Sequence, residues 1–202
     1  MTTTIANMSV SLDGYVNHPT DGVTSLFEWY TAGGEVELEI DPRYNFQLDE
    51  NSAKLLDEAV GGIGALVAGR RLFDEANGWG GQHPMGAPVV VLTHEPPADW
   101  PADTSIEFVT EGIDAAIARA KEIAGGKDVA LASPTITQQA LAAGLLDMIA
   151  VDLVPVFLGA GVRWFDHLGT DPIRLGNPRV VPGNRVTHLL YPVLSTSTTT
   201  GA

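Results

Sequence analysis

Short apolar runs alternating with segments of helical periodicity constrain this chain more than any other feature. Ala65–Ala68 (ALVA), Pro88–Thr93 (PVVVLT) and Asp128–Ala132 (DVALA) are too short and too uniformly apolar for surface helices, and read as strands buried on both faces. Ser105–Val109 adds a further strand. Leu55, Leu56, Ala59, Val60 and Ile63 recur at helical spacing over Ser52–Gly64, with Asn51 or Ser52 as N-cap. Ile113, Ala116, Ile117, Ala120 and Ile123 mark a second helix that stops at Gly125-Gly126, and Thr135–Ala143 a third that stops at Gly144. Thr4–Val10, closed by the turn pair Asp13-Gly14, opens the series; Asp147–Leu158 and Arg185–Val193 close it. Strands alternating with helices predict an α/β fold whose sheet is covered on both faces. The last two strands follow one another with no helix between them, so the sheet is expected to end in an antiparallel pair.

The 202 residues suit one domain, expected over 1–194, with 195–202 a disordered polar tail. Residues 18–50 lack periodicity, carry Phe27, Trp29 and Tyr30 as inward anchors, and read as a lid or binding loop. No apolar run approaches the ~20 residues of a membrane helix, the N-terminus does not resemble a secretory signal, and there is no cysteine. A cytoplasmic location is therefore expected. Eleven Lys and Arg against 25 Asp and Glu give a formal charge of −14, which argues against nucleic acid or an anionic membrane as partner. An anionic small molecule must then be caught by a local cluster, and the only adjacent basic pair is Arg70-Arg71. The five histidines show no metal-ligand spacing, so no metal is expected.

Four segments carry a family resemblance: MSVSLDGYV (8–16), LVAGRRLFDEANGWGG (66–81), PVVVLTHEPP (88–97) and QQALAAGLLDMIAVDLVPVFLGAGVRWF (138–165). In this order and spacing they resemble the reductase superfamily that includes dihydrofolate reductase and the C-terminal reductase of riboflavin biosynthesis, in its stand-alone bacterial branch. The resemblance implies a central mixed sheet, mostly parallel with an antiparallel end and helices on both faces. It also implies NADPH bound across the strand C-termini, with hydride transfer to a pterin- or pyrimidine-like small molecule, as in a 5-amino-6-(5-phosphoribosylamino)uracil reductase. A homodimer is implied as well, with strand 147–158 and the Trp164-Phe165 loop near its interface.

Carried onto this sequence, the resemblance places the cofactor phosphates at Gly69, Arg70 and Arg71. Helix N-termini and Arg forks both favour anions; the alternative is that the arginines pair with Asp74 and Glu75. Leu72 stands where the family often has a hydroxyl. Thr93 and His94 fall in the loop facing the adenine and 2′-phosphate, or else form a solvated turn before Pro96-Pro97. Ala132, Ser133, Pro134, Thr135 and Ile136 form a further cofactor segment in which Ala132-Ser133 stands where the family has Gly-Gly, so side chains occupy the approach to the pyrophosphate; the segment also suits a helix start with Ser133 as N-cap and Pro134 at N1. The Ser9 backbone is a further cofactor contact. Asp13 and Asp152 are the candidate catalytic acids. A mid-strand carboxylate such as Asp152 must be paired, protonated or on a wet pocket wall, unless its face of the strand is simply exposed. The departures at Leu72 and Ala132-Ser133 keep open a repurposed ligand-binding protein, or a flavin-type cofactor.

Overall fold

In the computed structural model, residues 2–194 are described apart from 35, 39, 42, 44 and 170; the tail expected over 195–202 lies outside them. Strands β1 (Thr4–Ser11), β5 (Ile63–Gly69), β6 (Val89–Leu92), β7 (Ile106–Val109), β8 (Asp128–Ala132), β9 (Met148–Val154), β11 (Arg179–Gly183) and β12 (Val186–Pro192) form one sheet. Its order is β11-β12-β9-β1-β8-β5-β6-β7. β9 through β7 are mutually parallel, and β12 and β11 run antiparallel at one end. Shorter strands β2 (Tyr15–Asn17) with β10 (Val162–Arg163), and β3 (Val36–Leu38) with β4 (Phe46–Leu48), make two small antiparallel pairs.

The apolar strands have no polar face because both faces are covered. Val67, Val90, Val129 and Leu131 point to one side, under α4 (Ile113–Ala124) and α5 (Pro134–Ala142). Leu66, Ala68, Val89, Val91 and Ala130 point to the other and pack with Phe73 of α3 (Arg70–Glu75). Further along that second face, beyond β1, a separate cluster joins Leu26 of α1 (Thr24–Phe27), Trp29 of a 3-10 segment (Glu28–Thr31), Ala53 of α2 (Glu50–Gly62), and Val154 and Val186. The anchors expected in 18–50 are therefore only partly inward: Trp29 is buried, whereas Phe27 is 45% exposed.

Several boundaries differ from the sequence expectation. The N-cap of α2 is Asp49, not Asn51 or Ser52, and its carboxylate accepts from the Asn51 and Ser52 amides. β9 ends at Val154 and not Leu158, because Pro155 has no N–H to extend the ladder. β11 escapes a periodicity reading because it is a short edge strand that contains Pro182 and leaves Val180 56% exposed. Asn77, Gly78, Trp79, Gly80 and Gly81 all have positive φ, a left-handed turn after α3 that apolar spacing does not announce. Trp164 is 1% exposed within the chain's own core, and β9 lies between β1 and β12. Trp164 and the edges of β9 are thus covered within the chain, whereas Phe157, also in the segment expected near a homodimer interface, is 72% exposed.

Gly161 closes the loop between β9 and β10 at φ +133, and a Cβ there would run into the Asn17 carbonyl of β2. Gly161→Ala is expected to lower stability by about 2–4 kcal/mol, from backbone strain plus the lost β2–β10 contact. Urea unfolding of the two proteins measures it, and a loss under about 0.5 kcal/mol would contradict this account of the loop.

Candidate active site

Parallel strands place their carboxyl ends at one edge of the sheet, and open α/β sheets bind ligands there. Gly69 at the end of β5, Thr93 after β6, Ser133 after β8 and Ser9 near the end of β1 all come to this edge. A Cβ built on Gly69 would lie 3.1 Å from Ser133 Oγ, so the β5 and β8 ends meet closely only because Gly69 lacks a side chain. Ser133 is the N-cap residue of α5 and Pro134 its N1, but the Ser133 hydroxyl makes no capping bond. Thr137 instead donates both its amide and its hydroxyl to the Ser133 carbonyl, each at 3.0 Å. Ser133 Oγ is left buried with no hydrogen-bond partner, beside a helix N-terminus. A buried hydroxyl without a partner costs about 1–3 kcal/mol, which a bound anion would relieve.

Arg70 and Arg71 form the i,i+4 pairs weighed as the alternative. Arg70 Nε lies 2.8 Å from Asp74 and Arg71 Nε 2.8 Å from Glu75. Arg70 also donates to the Glu95 carbonyl at 2.6 Å, and Thr93 Oγ1 donates to that same carbonyl at 3.0 Å. Arg70, Thr93 and the 93–95 loop are therefore one cluster; His94 beside them is exposed. Exposed i,i+4 pairs contribute only ~0.3–0.5 kcal/mol, so a phosphate could draw either guanidinium away at small penalty.

On the other side of β1 the sheet carries a polar patch within its second face. Asp152 of β9 lies opposite Ser9 on one side and His188 of β12 on the other. Only 7% exposed, it is paired, not solvated: Asp152 Oδ1 is 2.7 Å from His188 Nδ1, and Oδ2 accepts from Asn7 Nδ2 at 3.1 Å. His188 Nε2 is 2.9 Å from Ser52 Oγ, which donates to Asp49 at 2.7 Å. The Trp29 ring packs edge-on against His188 at 5.2 Å, and its indole N–H donates to Ser9 Oγ at 3.1 Å. Tyr30 stacks on Trp29 at 4.0 Å; burial, with the Asp152 charge, pushes its phenol well above the ordinary range. Asn7 is exposed, and its amide nitrogen serves both the Ala150 carbonyl and Asp152. Its Oδ1 is thereby left as an outward acceptor.

Asn7, Ser52 and His188 were not read from the sequence. Asn7 sits in a strand where one polar residue looks like ordinary alternation. His188 pairs with Asp152 only through the β9–β12 register, 36 positions apart in the chain. The signal in the sequence is His188 at alternating spacing with Val186 and Leu190, which puts it on the same face as an apolar pair in the closing strand.

Asp13 has another task than the catalytic one expected. Its carboxylate accepts from Ser11 Oγ at 2.6 Å, Gly159 N at 2.7 Å and Leu158 N at 3.1 Å. The Ser11 hydroxyl first, then the two loop amides, hold it down at about 2 despite some burial, so it carries no proton to give near neutrality. A carboxyl whose folded value lies below its ordinary 3.8 adds stability that is present above that value and lost as pH falls through about 2. Asp13→Asn should therefore be less stable at neutral pH and show a shallower loss between pH 4 and 2 than the parent, followed by circular dichroism. Parallel acid limbs would remove this role for Asp13.

Residues 2–180 match the RibD C-terminal domain family. No curated protein matches the sequence. Among solved structures, a protein ascribed to riboflavin biosynthesis from Shewanella sp. PV-4 superposes with a TM-score of 0.68 at 20% identity, over 95% of this chain and 99% of that one. A pyrimidine reductase-like protein from Corynebacterium diphtheriae gives 0.57 at 14% identity, over 96% and 92%. Dihydrofolate reductase from Enterococcus faecalis, complexed with NADP(H), gives 0.56 at 14% identity, over 95% and 96%. At these identities the structures speak for the fold, which is that of the dihydrofolate reductase-like reductases. With the sequence match spanning residues 2–180, and so six of the eight strands of the main sheet in full, the chain belongs to the RibD C-terminal domain family.

Proposed function

We propose that the protein is an NADPH-dependent reductase of a small nitrogen heterocycle, a pterin or an aminopyrimidine of the riboflavin-pathway kind. The observation that carries this reading is the unpartnered, buried Ser133 Oγ at the N-terminus of α5, facing Gly69. It supports an anion cradle at the strand edge, built from Ser133, the first amides of α5 at Thr135 and Ile136, and the nearby guanidinium of Arg70. Hydrogen-bond donors without acceptors at a helix N-terminus suit a phosphate. Family membership makes a dinucleotide the natural phosphate carrier.

The bound nicotinamide would supply a hydride; everything else falls to this chain. Arg70, Arg71, Thr93 and the 132–136 segment would hold the phosphates, and the Ser9 backbone the nicotinamide end. Asn7 Oδ1 suits an N–H or amino group on the substrate edge, and Asp152 behind it is the acid within reach of a ring nitrogen. Trp29 and Tyr30 keep water from that side. Leu12 and Phe157, 53% and 72% exposed, lie on segments joined by the Leu12 N to Val156 O bond and suit the contact of a homodimer.

A second reading is favoured by the Arg70–Asp74 and Arg71–Glu75 pairs and by the Ala132 and Ser133 side chains: a small-molecule binder that has lost its dinucleotide. One titration separates the two. Quenching or enhancement of nicotinamide fluorescence should show NADPH binding about tenfold or more tighter than NADH, since only NADPH carries a 2′-phosphate for an arginine. Ser133→Ala should weaken both. If neither nucleotide binds at millimolar concentration, the reductase reading falls and the binder reading stands.

A further inference from the structure

Three short contacts join four side chains in a row: Asp49 Oδ2 to Ser52 Oγ at 2.7 Å, Ser52 Oγ to His188 Nε2 at 2.9 Å, and His188 Nδ1 to Asp152 Oδ1 at 2.7 Å. Each needs one hydrogen between its heavy atoms. Two carboxylates, one hydroxyl and a neutral imidazole supply two: one from Ser52 and one from His188. The row is one hydrogen short. Closing all three contacts requires one more proton than the ordinary forms carry.

The position of that proton follows from the outer end. Asp49 accepts the amides of Asn51, Ser52 and Asn184 as well as the Ser52 hydroxyl. Burial works against its charge, but the Asn184 amide, the Ser52 hydroxyl and the remaining amides together keep it below the ordinary range. Asp49 is therefore a carboxylate, and Ser52 spends its single hydrogen there. Ser52 Oγ can then only accept from His188, which puts a hydrogen on Nε2 and turns Nδ1 toward Asp152. The additional proton lies between Nδ1 and Asp152 Oδ1. The titratable groups facing this pair are Asp49 from the α2 cap and Tyr30 from the 3-10 segment; Tyr30 stays neutral, and β1 contributes only Asn7 and Ser9. His188 and Ser52 are 2% and 1% exposed, and the Ser52 hydrogen is already committed to Asp49, so the stored proton leaves at the Asp152 end, beside the exposed Asn7.

We propose that the His188–Asp152 pair stores one proton and gives it, through Asp152, to a substrate held in a cleft beside the exposed Asn7. His188 is a positioning residue that loads Asp152, and Ser52 with Asp49 fixes its tautomer. Resting on the reductase reading, the step balances: a bound nicotinamide would supply a hydride for the carbon of a C=N bond, and the nitrogen would take the proton that Asp152 holds. The C=N π bond breaks as the C–H and N–H bonds form. Asp152 is then a carboxylate facing the Nδ1 lone pair of a neutral imidazole. Because Nε2 already holds a hydrogen, the pair cannot refill through Ser52; it reloads from water in the cleft after product leaves.

The store is tested on the protein alone by ¹⁵N-edited NMR of the histidine rings. His188 should show hydrogens on both nitrogens at neutral pH, with the Nδ1 hydrogen far downfield and slow to exchange. Asp152→Asn should abolish the downfield signal with the fold retained; His188→Gln should do so too, and the first variant suffices if the second fails to fold. A singly protonated His188 in the parent would overturn the store, whatever the nucleotide titration shows. Donation is tested with 2,4-diaminopyrimidine, whose ultraviolet spectrum reports ring protonation. At a pH where the free base is neutral, the ring should bind to the parent in its protonated form, and about tenfold or more weaker to Asp152→Asn. A ring that stays neutral, or fails to bind at millimolar concentration, would overturn donation. NADPH binding is independent of both results, so failure here and failure of the reductase reading are told apart.

Discussion

A carboxylate in the middle of a sheet is tolerated only if its charge is met where it lies, and that requirement organises one half of this molecule. Removing one partner of a buried pair costs about 3–5 kcal/mol, a large share of the stability of a domain this size. Asp152 meets the requirement through β12, which brings His188 opposite it, and through β1, which brings Asn7 beside it. His188 in turn needs Ser52, and Ser52 needs Asp49. Asp49 caps α2 and accepts the Asn184 amide from the turn between β11 and β12. One acid thus ties the antiparallel edge, the central strand and the helix above them into a single unit.

The two halves of the strand edge differ in the opposite sense. On the β5–β8 side the groups are under-satisfied: Ser133 Oγ has no partner, and the arginines hold only shallow, exposed pairs. On the β9–β12 side Asp152, His188 and Ser52 all have partners, and Asn7 is the exposed member of the group. A site that must admit and release a charged cofactor benefits from the first condition. One that must hold an acid in a fixed place and protonation form benefits from the second. Charge supports the division, since a chain at −14 repels free anions at long range and its only adjacent basic pair, Arg70-Arg71, lies at the β5 end.

How much was legible in the sequence varies with how local the cause is. The buried strands and the helix stopping at Gly125, with φ +58, follow from composition and spacing over a few residues. The antiparallel end followed from the missing helix before Arg185, yet β11 was overlooked because a short, half-exposed edge has little apolar signature. The cofactor-side positions lie on strand ends that the sequence marks with Gly69, Thr93 and Ser133, and the structure brings these together. What the hydroxyl of Ser133 does was not legible: N-cap chemistry predicts a bond to the helix, and in the fold the hydroxyl is buried without one.

By itself the sequence determined the class of fold, the family and the presence of an acid within the apolar strand 147–158, because each depends on residue type and near neighbours. It posed the alternatives for Asp152 without choosing among them. Only the tertiary structure decided that Asp13 is a loop clamp and that Asp152 is one end of a four-residue row. Both outcomes rest on contacts between residues more than a hundred positions apart, such as Asp13 with Gly159 and Ser52 with His188. Strand register sets those contacts, and a register is a property of the assembled sheet.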